Sequence, residues 1–439
     1  MSRRLLVLGA GGDLFGRLLL PALAGLEASG RLPDDLEFVA VTRHDQSDDA
    51  FRSEASAELD QHGSDVDADV REALIGRFTH RRADATEPDD VRALVSGAPP
   101  TIVYLALPPA LFEPAIKALA GCELPDGSRI AVEKPFGDGL EAARRLNRLL
   151  ERFDDEMVYR VDHFLSLPAV RALPGLRFAN RLLEPAWSGE HIERIEVTWD
   201  EKLGLESRAG YYEGAGALRD MLQNHLLATL CVAIMERPVS LGGAGPRSAR
   251  LAVLRSLRPP AGRAMATDTR RARYGAGDGR PAYEDEEGVD PARQTETLAK
   301  VTLTSDAPRW RGVTFVLRSA KAIRADRFEV IIRFRSVAAE DRAADGEPEL
   351  LRLDLGTAEL DLRLAGEPGG RSSVGGAVPT ADLGAYESML AALLEGDQGP
   401  FVGPQEAEEA WRIMQPILDA WADDRVPLEE YPAGSDGLT

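Results

Sequence analysis

The sequence predicts an α/β protein with an N-terminal doubly wound parallel sheet and a C-terminal α+β domain built on a large, mainly antiparallel sheet. Up to about residue 160, short apolar runs alternate with longer amphipathic stretches, as expected where helices cover both faces of a parallel sheet. Later segments alternate β-branched or aromatic residues with polar ones, which is typical of antiparallel or mixed sheets. Because 439 residues exceed one hydrophobic core, we place two domains at 1–170 and 171–439.

Five short apolar runs in the N-terminal part have the length of strands. Their β-branched content predicts buried strands of a parallel sheet. Between the last two runs, leucines recur at helical spacing from Leu140 to Phe153, which predicts an amphipathic helix. The predicted strands are Arg4–Leu8, Glu37–Val41, Thr101–Leu107, Arg129–Val132 and Met157–Val161.

The C-terminal part begins with a helical patch at Arg177–Leu183 and then becomes rich in strand patterns. Two helices, Ala385–Leu394 and Pro404–Ala422, are predicted to close it because each carries an apolar stripe at helical spacing. The predicted strands are Ile192–Trp199, Ala299–Thr304, Val313–Arg318, Phe328–Phe334 and Leu350–Leu364.

Three stretches rich in glycine or charged residues predict surface loops. The third is rich enough in glycine to predict a mobile connection. The stretches are 242–247, 258–290 and 366–380.

The composition indicates a soluble, cytoplasmic globular protein. Hydrophobic residues make up 44% of the chain, and no run approaches the ~20 apolar residues of a membrane helix. The net charge of −21 disfavours nucleic acid and anionic membranes as partners. Cys122 and Cys231 lie far apart without metal-ligand spacing, so we expect neither a disulfide nor a metal site.

The segment Gly9–Leu14 follows the first predicted strand and precedes a helical pattern. A strand, a glycine turn and a helix in this order let backbone N–H groups approach a pyrophosphate. The turn is a variant of the dinucleotide fingerprint, and an ordinary tight turn is the alternative. Arg43 follows the second strand, where a guanidinium suits a 2′-phosphate. The sequence therefore favours NADP, with NAD as the alternative and a solvated surface role as the other reading of Arg43.

Three stretches hold groups suited to oxidising a sugar C1 hydroxyl, which needs a base, a group that orients it, and a nicotinamide. Glu133–Gly137 and Asp162–Phe164 each follow a predicted strand, where open α/β sheets place their sites. In the third stretch, His225 shares a helical stripe with Leu218 and Leu222. Taken alone, such a histidine is more often a buried core residue, and Asp162 alone could serve a turn.

Together, these stretches and several other motifs in the same order resemble the glucose-6-phosphate dehydrogenase family. The resemblance runs almost end to end. It implies a Rossmann-type N-terminal domain, removal of a hydride from C1 of glucose 6-phosphate or a related sugar, and a homodimer or homotetramer. The motifs are Gly9–Leu14, Tyr104–Pro109, Glu133–Gly137, Arg160–Leu165, Arg177–Arg181, Tyr211–Leu227, Thr295–Thr297, Leu317–Lys321, Trp411–Ile413 and Tyr431–Ser435.

The resemblance assigns the catalytic and substrate-binding roles. It implies that His225 is the general base and that Asp162 orients it. Only five of the 52 basic residues are lysines, and two of them fall in the motifs, which supports a specific role for both. The residues implied to bind the sugar phosphate are Lys134, His163, Glu201, Asp220 and Lys321.

The local patterns and the resemblance together give a set of cofactor-binding residues. They belong to the glycine turn, to the end of the second strand and to the segments after later strands. The set is Gly9, Gly12, Asp13, Leu14, Arg43, Tyr104, Pro108 and Lys134.

The chain departs from the family where the 6-phosphate is held. The family continues its Asp-His pair with Tyr-Leu-Gly-Lys, whereas this chain has Phe164 and Leu167 in place of the tyrosine and the lysine. Losing charge-assisted hydrogen bonds of ~1.5–3 kcal/mol each would weaken phosphate binding by roughly 10²- to 10⁴-fold. Ser166, the helix start near Pro168, or Arg171 could replace them.

Three functions therefore stay open. The first is oxidation of glucose 6-phosphate at C1 to the 1,5-lactone. The second is the same chemistry on glucose that is unphosphorylated or otherwise modified at C6. The third is a catalytically silent regulatory homologue, which the complete polar set of the motifs disfavours.

Overall fold

The computed structural model describes residues 4–63, 65–205, 209–240, 242–336, 349–365 and 371–438. The chain divides into two compact units, each made of several segments. None of the helices in the described segments is long and apolar enough to cross a membrane. The first unit comprises Met1–Ser166, Val239–Arg247 and Asp382–Glu408, and the second comprises Leu167–Pro238, Ser248–Ala381 and Glu409–Thr439.

The first unit is built on a seven-stranded sheet with the order β16-β6-β5-β4-β1-β2-β3. Its strands run parallel except β16, which is antiparallel to β6. The carboxyl ends of β1 to β6 therefore share one edge. The strands are β1 Arg4–Leu8, β2 Glu37–Thr42, β3 Phe78–Arg82, β4 Thr101–Leu105, β5 Arg129–Glu133, β6 Val158–Val161 and β16 Phe401–Val402.

Helices pack on this sheet, and one apolar cluster between helices and sheet includes Phe15, Phe38 and Phe78. A π-helical segment, Phe15–Leu19, continues directly into the first α-helix. A helix from late in the chain, α12, buries Met389 and Leu393 in the same cluster. The helices are α1 Leu20–Ala28, α2 Asp48–His62, α3 Ala68–Gly76, α4 Pro88–Val95, α5 Phe112–Ala120, α6 Leu140–Leu150 and α12 Ala385–Glu395.

The second unit is built on a ten-stranded sheet with the order β15-β14-β13-β12-β7-β11-β10-β9-β17, and β8 pairs with β10. Only the pairs β7–β11 and β9–β17 are parallel. The strands are β7 Ile192–Asp200, β8 Leu257–Arg258, β9 Thr269–Gly275, β10 Leu298–Ser305, β11 Thr314–Ala320, β12 Arg327–Phe334, β13 Leu350–Asp354, β14 Glu359–Ala365, β15 Arg371–Ala377 and β17 Leu428–Pro432.

The helices of the second unit include a second π-helical segment, Leu218–Leu226, between α8 and α9. Two helices are shared, because the division between the units falls after Arg247 in α10 and after Glu408 in α13. The helices are α7 Pro168–Phe178, α8 Ala209–Ala217, α9 Leu227–Ile234, α10 Ala244–Ser256, α11 Ala264–Asp268 and α13 Pro404–Ala422.

Several local predictions are wrong. The single strand expected at 350–364 is the hairpin β13–β14, because Asp354 accepts hydrogen bonds from two turn N–H groups and Ala358 has a positive φ. The loop expected at 242–247 enters α10. Within 366–380, residues 366–370 lie outside the described segments, and 371–377 form β15.

The loop expected at 258–290 contains β9, whose charge masks its strand pattern. Arg270 and Arg273 pair with Glu429 and Glu430 of the adjacent strand β17. Opposite charges on neighbouring strands stabilise a sheet. The polar composition that predicts a loop is therefore used in cross-strand ion pairs.

Candidate active site

The glycine turn of the first unit brings two parts of the sheet edge into close contact. Gly9 has φ +92°, and a Cβ there would lie 2.4 Å from the carbonyl oxygen of Ala106. The N–H groups of Gly9 and Ala10 both donate to the carbonyl of Val41, at 3.0 and 3.1 Å. Only glycine meets both the conformation and the space. The turn is therefore built for close backbone approach.

The helix after the turn begins at Asp13 and Leu14, whose N–H groups belong to the first turn and have no intrahelical acceptor. Gly12 N–H instead donates to Gly9 O at 3.1 Å. The exposed carboxylate of Asp13 pairs with Arg17 at 3.4 Å. A helix N-terminus behind a glycine turn fits a dinucleotide pyrophosphate.

Arg43 is exposed at the carboxyl end of β2. On the neighbouring strand, exposed Arg82 stands in register with Thr42. Asp84 lies two residues after Arg82. Hydrogen bonds from Thr86 lower the pKa of Asp84, and the charge of Arg43 adds to that shift. Two exposed guanidinium groups, those of Arg43 and Arg82, therefore lie at this corner of the sheet.

Tyr104 and Glu133 form a buried pair between β4 and β5. The fully buried Tyr104 hydroxyl donates to Glu133 Oε1 at 2.5 Å, and Tyr386 of α12 also bonds to this carboxyl. Burial raises the pKa of Glu133 to about 7, although Tyr104 and Lys134 oppose the shift. The hydrogen bond that the Tyr104 hydroxyl donates goes to Glu133 and does not bear on a cofactor. The role of Tyr104 in cofactor binding therefore stays a prediction. Pro108, after β4, is exposed.

Glu133→Gln is expected to flatten the pH dependence of stability. The ordinary pKa of this carboxyl is 4.5, and the folded protein raises it to about 7, so the unfolded chain releases the proton first as pH rises. The free energy of unfolding of the wild type therefore decreases as the pH rises from 4.5 to about 7. The glutamine variant should gain about 3 kcal/mol over wild type between pH 4.5 and pH 8. Urea unfolding at both pH values measures this gain.

The matched control is Glu141→Gln, at an exposed position of α6. It should change the free energy of unfolding by less than about 0.5 kcal/mol, as is usual for a surface substitution. Parallel pH profiles for Glu133→Gln and wild type would contradict the assignment of this titration to Glu133.

Lys134, Asp162 and His163 follow the carboxyl ends of β5 and β6. Asp162 is 1% exposed and accepts a hydrogen bond from the N–H of Phe164 at 3.1 Å. The His163 ring stacks on Tyr386, with 4.9 Å between centroids. Phe164 is buried and packs edge-on against His163. Phe164, which occupies the position of the family's tyrosine, therefore packs against His163.

The three suggested replacements for the phosphate ligands differ in exposure. Ser166 is fully buried and, among the described residues, its hydroxyl has no hydrogen-bond partner. Helix α7 begins at Pro168, as the sequence indicates, and Arg171 is exposed near its start. Exposure thus favours Arg171 over Ser166 as an anion ligand.

In the second unit, Lys321 and Glu201 form a close ion pair, with 2.5 Å between Nζ and Oε2. The ammonium also lies over the Tyr212 ring, 5.3 Å from its centroid. The backbone of Lys321 is fixed, because its carbonyl accepts from the Tyr431 hydroxyl at 2.6 Å. The Glu201 side chain is therefore held in place by Lys321, and its carboxylate oxygens can accept hydrogen bonds from sugar hydroxyls.

A sharp kink precedes the second π-helical segment. Gly216 has φ +68°, and a Cβ there would lie 2.5 Å from the Glu296 carboxylate. Oε1 of buried Glu296 accepts from the Leu218 N–H at 3.0 Å, and its carbonyl accepts from the Ala217 N–H at 3.1 Å. Burial raises the pKa of Glu296. Glu296 thus caps the start of this segment.

The π-helical segment carries both Asp220 and His225. In an α-helix these positions would lie roughly 140° apart, at ~100° per residue. In a π-helix, hydrogen bonds join residues i and i+5, so positions five apart lie about one turn from each other. The winding therefore brings Asp220, which is partly exposed, and His225, which is 1% exposed, towards one face.

The helix that continues this segment, α9, ends in a buried polar cluster. Arg177 donates to the carbonyls of Ala233 and Met235 at 2.9 and 2.8 Å. The indole N–H groups of Trp187 and Trp310 donate to the last carbonyls of the same helix. Side chains thus fix the end of the His225 helix as firmly as Glu296 fixes its start.

Comparison with known families accounts for nearly the whole chain. Residues 6–171 match the glucose-6-phosphate dehydrogenase NAD-binding domain, and residues 175–439 match the C-terminal domain of the same enzyme. The chain belongs to the glucose-6-phosphate dehydrogenase family. The predicted family and the predicted fold class are confirmed. The NAD-binding domain also supports a nicotinamide cofactor.

Curated members of the glucose-6-phosphate dehydrogenase family are similar along their whole length. The glucose-6-phosphate 1-dehydrogenase of Gluconobacter oxydans is 36% identical over 468 residues, which cover 98% of this chain and 93% of the relative. The enzyme of the same name from Mycolicibacterium smegmatis is 34% identical over 463 residues, with 98% and 93% covered.

Solved structures of the family share the fold. Glucose-6-phosphate dehydrogenase in complex with glucose-6-phosphate aligns with a TM-score of 0.88 at 27% identity, covering 99% of this chain and 95% of that chain. The glucose-6-phosphate 1-dehydrogenase from Mycobacterium avium aligns with the same score at 31% identity and the same coverage.

Sequence reasoning missed several groups that hold the glucose-6-phosphate dehydrogenase site residues in place. Glu133 and Glu296 lie inside recognised motifs, and buried tyrosine neighbours give no periodic signal of their own. Tyr386 lies far along the chain from the strands it contacts. For Glu133 and Glu296, the position inside a motif was the available signal, and it does not indicate what the side chain does.

Proposed function

We propose that this protein oxidises glucose 6-phosphate at C1 with NADP and releases the 1,5-lactone. One observation in particular supports the proposal: a buried histidine, His225, lies about one helical turn after Asp220 on a π-helical segment. Glu296 holds the start of this segment, and Arg177 holds the end of α9, which continues it. π-Helical turns are frequent at functional sites. A silent homologue would have no need to retain this winding.

In the proposed reaction the C1–H bond breaks as a hydride leaves, and the C1 hydroxyl gives its proton to His225. Asp162 is the acid that orients the imidazole and stabilises its charged form. Glu201 and Asp220 accept hydrogen bonds from sugar hydroxyls, and Lys321 holds the Glu201 carboxylate in place through their close pair. A bound nicotinamide supplies the hydride acceptor.

The residues of the first unit fit the cofactor. The N–H groups of Asp13 and Leu14 would face the pyrophosphate, and Arg43 would contact a 2′-phosphate rather than a bare hydroxyl. Gly9 and Gly12 allow the close approach, while Tyr104, Pro108 and Lys134 complete the proposed set. We also propose that the protein is a cytoplasmic homodimer or homotetramer.

A substrate panel tests the function. Glucose 6-phosphate, glucose and a glucose carrying a neutral C6 group are each offered with NADP and with NAD, and lactone formation is followed by reduced-cofactor absorbance. Efficient use of glucose 6-phosphate alone supports the proposal. Preference for glucose would support the unphosphorylated alternative, which the buried Phe164 favours. Failure with every aldose would leave the silent homologue.

Arg171→Ala is expected to raise KM for glucose 6-phosphate about 10-fold, because one charge-assisted hydrogen bond to the phosphate is lost. KM for glucose and kcat should stay within about twofold, since neither depends on that bond. Steady-state kinetics with both sugars measure the split. Arg148→Ala, an exposed arginine of α6, is the control. An unchanged KM for glucose 6-phosphate would remove Arg171 from the phosphate site.

A further inference from the structure

His80 of β3 lies buried beside the loop that joins β2 to α2. It is 5% exposed. One ring nitrogen, Nδ1, lies 3.0 Å from the carbonyl oxygen of Gln46, and the other, Nε2, lies 2.9 Å from the hydroxyl of Thr42. The imidazole therefore connects the loop to the end of β2, one residue before Arg43.

The same loop is fixed at further points. The Thr42 hydroxyl also lies within hydrogen-bond distance of the His44 carbonyl, at 3.3 Å. Asp48, at the start of α2, accepts from the His80 N–H at 2.7 Å. The Phe51 ring stacks on the imidazole, with 5.7 Å between centroids. Contacts on both sides of the loop therefore restrain the short segment from Arg43 to Ser47.

The chemistry of these contacts selects histidine. A carbonyl can only accept, so Nδ1 must carry a proton for Gln46. In the neutral ring, Nε2 is then an acceptor. The Thr42 hydroxyl has one proton, which it can donate either to Nε2, at 2.9 Å, or to the His44 carbonyl, at 3.3 Å. Asparagine can reproduce only the donor next to Gln46. Leucine reproduces neither, and it leaves a loop carbonyl without its partner.

We infer that His80 is a positioning residue for cofactor selection: with Thr42 it fixes the loop from which Arg43 offers its guanidinium to the 2′-phosphate. The inference rests on the proposed use of NADP. A restrained loop loses less conformational entropy than a free loop does when Arg43 binds the 2′-phosphate. The benefit should be largest for a ligand that carries the 2′-phosphate, because the N–H groups of Gly9 and Ala10 in the pyrophosphate turn bond to the carbonyl of Val41 and not to His80 or the Thr42 hydroxyl.

The variants His80→Leu and Thr42→Val test the inference. Losing one or two loop hydrogen bonds should raise KM for NADP about 5- to 20-fold. KM for NAD, KM for the sugar and kcat should change less than about twofold, because the chemical step and the shared parts of the cofactor are untouched. Calorimetry with 2′,5′-ADP should show the same loss, and calorimetry with 5′-AMP should show none.

Two further variants sharpen the test. His80→Asn, which keeps the donor next to Gln46, should recover part of the NADP affinity. Thr79→Val removes a hydroxyl of the same strand that donates to the carbonyl of Phe38, and it should leave both cofactors unaffected. Thr42→Val keeps the test available if His80→Leu does not fold.

Arg43→Ala separates the two ways of failing. If it raises KM for NADP while His80→Leu and Thr42→Val do not, the positioning role is overturned and the proposed cofactor site stands. If Arg43→Ala leaves KM for NADP unchanged, the proposed cofactor site fails and the inference with it. Equal losses for NADP and NAD in the His80 and Thr42 variants would make both residues structural, which also overturns the inference.

Discussion

His225→Asn is expected to lower kcat about 10²- to 10⁴-fold, the usual contribution of a positioned general base. Asparagine can occupy the buried site but cannot take the C1 hydroxyl proton. Because the base acts in the chemical step, binding of NADP should stay within about twofold of wild type. Steady-state kinetics with glucose 6-phosphate and a fluorescence titration of NADP measure the two quantities.

Thr229→Val is the matched control for His225→Asn. Thr229 lies buried on the helix that continues the π-helical segment, and its hydroxyl has no hydrogen-bond partner within the described part of the chain. The valine variant should therefore keep kcat. An equal loss of kcat and NADP binding in His225→Asn would show that His225 supports the fold rather than the reaction.

Arg177→Met is expected to lower the free energy of unfolding by about 3 kcal/mol, since removing one partner of a buried charged network is strongly destabilising. Arg177 is fully buried, contacts Glu184 at 3.3 Å and donates to the carbonyls of Ala233 and Met235 at the end of α9. Burial lowers its pKa to about 10, so it stays charged at neutral pH. Denaturant unfolding measures the change.

Arg181→Met provides the comparison for Arg177→Met. Arg181 is exposed a few residues further along the chain, and surface substitutions usually change stability by less than about 0.5 kcal/mol. Similar stability of the two variants would show that the buried guanidinium adds nothing to the helix end. In that case, the unchanged stability would also explain any activity that Arg177→Met keeps at low denaturant concentration.

The parallel sheet could be predicted because its strands are buried on both faces. Such strands read as apolar runs, and β1, β2 and β5 lie within one residue of the expected bounds. Strand β9 could not be found this way, since its arginines pair with acids elsewhere in the chain, among them Glu429 and Glu430 on β17. Cross-strand partners distant in sequence are invisible to local periodicity.

The residues of the candidate site divide in the same way, into those that local sequence predicts and those that depend on partners distant in the chain. The glycine turn follows from local backbone chemistry, and His225 and Asp162 follow from the family resemblance, with their catalytic roles still predictions. The groups that hold them could not be predicted. Glu296 acts through one backbone N–H of Leu218, and Tyr386 reaches Glu133 from a helix about 250 residues later in the chain, so neither leaves a pattern in neighbouring residues.

The α-helical stripe of Leu218, Leu222 and His225 correctly indicated burial but assumed the wrong winding. All three side chains are buried, yet the segment is π-helical. Helix type depends on how the segment is held at its ends, which residue spacing does not encode. The relation between Asp220 and His225 therefore emerges only from the structure.

The π-helical segment also limits how this part of the chain can evolve. A π turn fits one more residue between two fixed points than an α turn does, and here Glu296 fixes one end while Arg177, Trp187 and Trp310 fix the other. Many substitutions between these points would leave the backbone path intact. An insertion or deletion of a single residue would rotate the proposed base away from its present direction. The helix should therefore tolerate variety in composition and none in length.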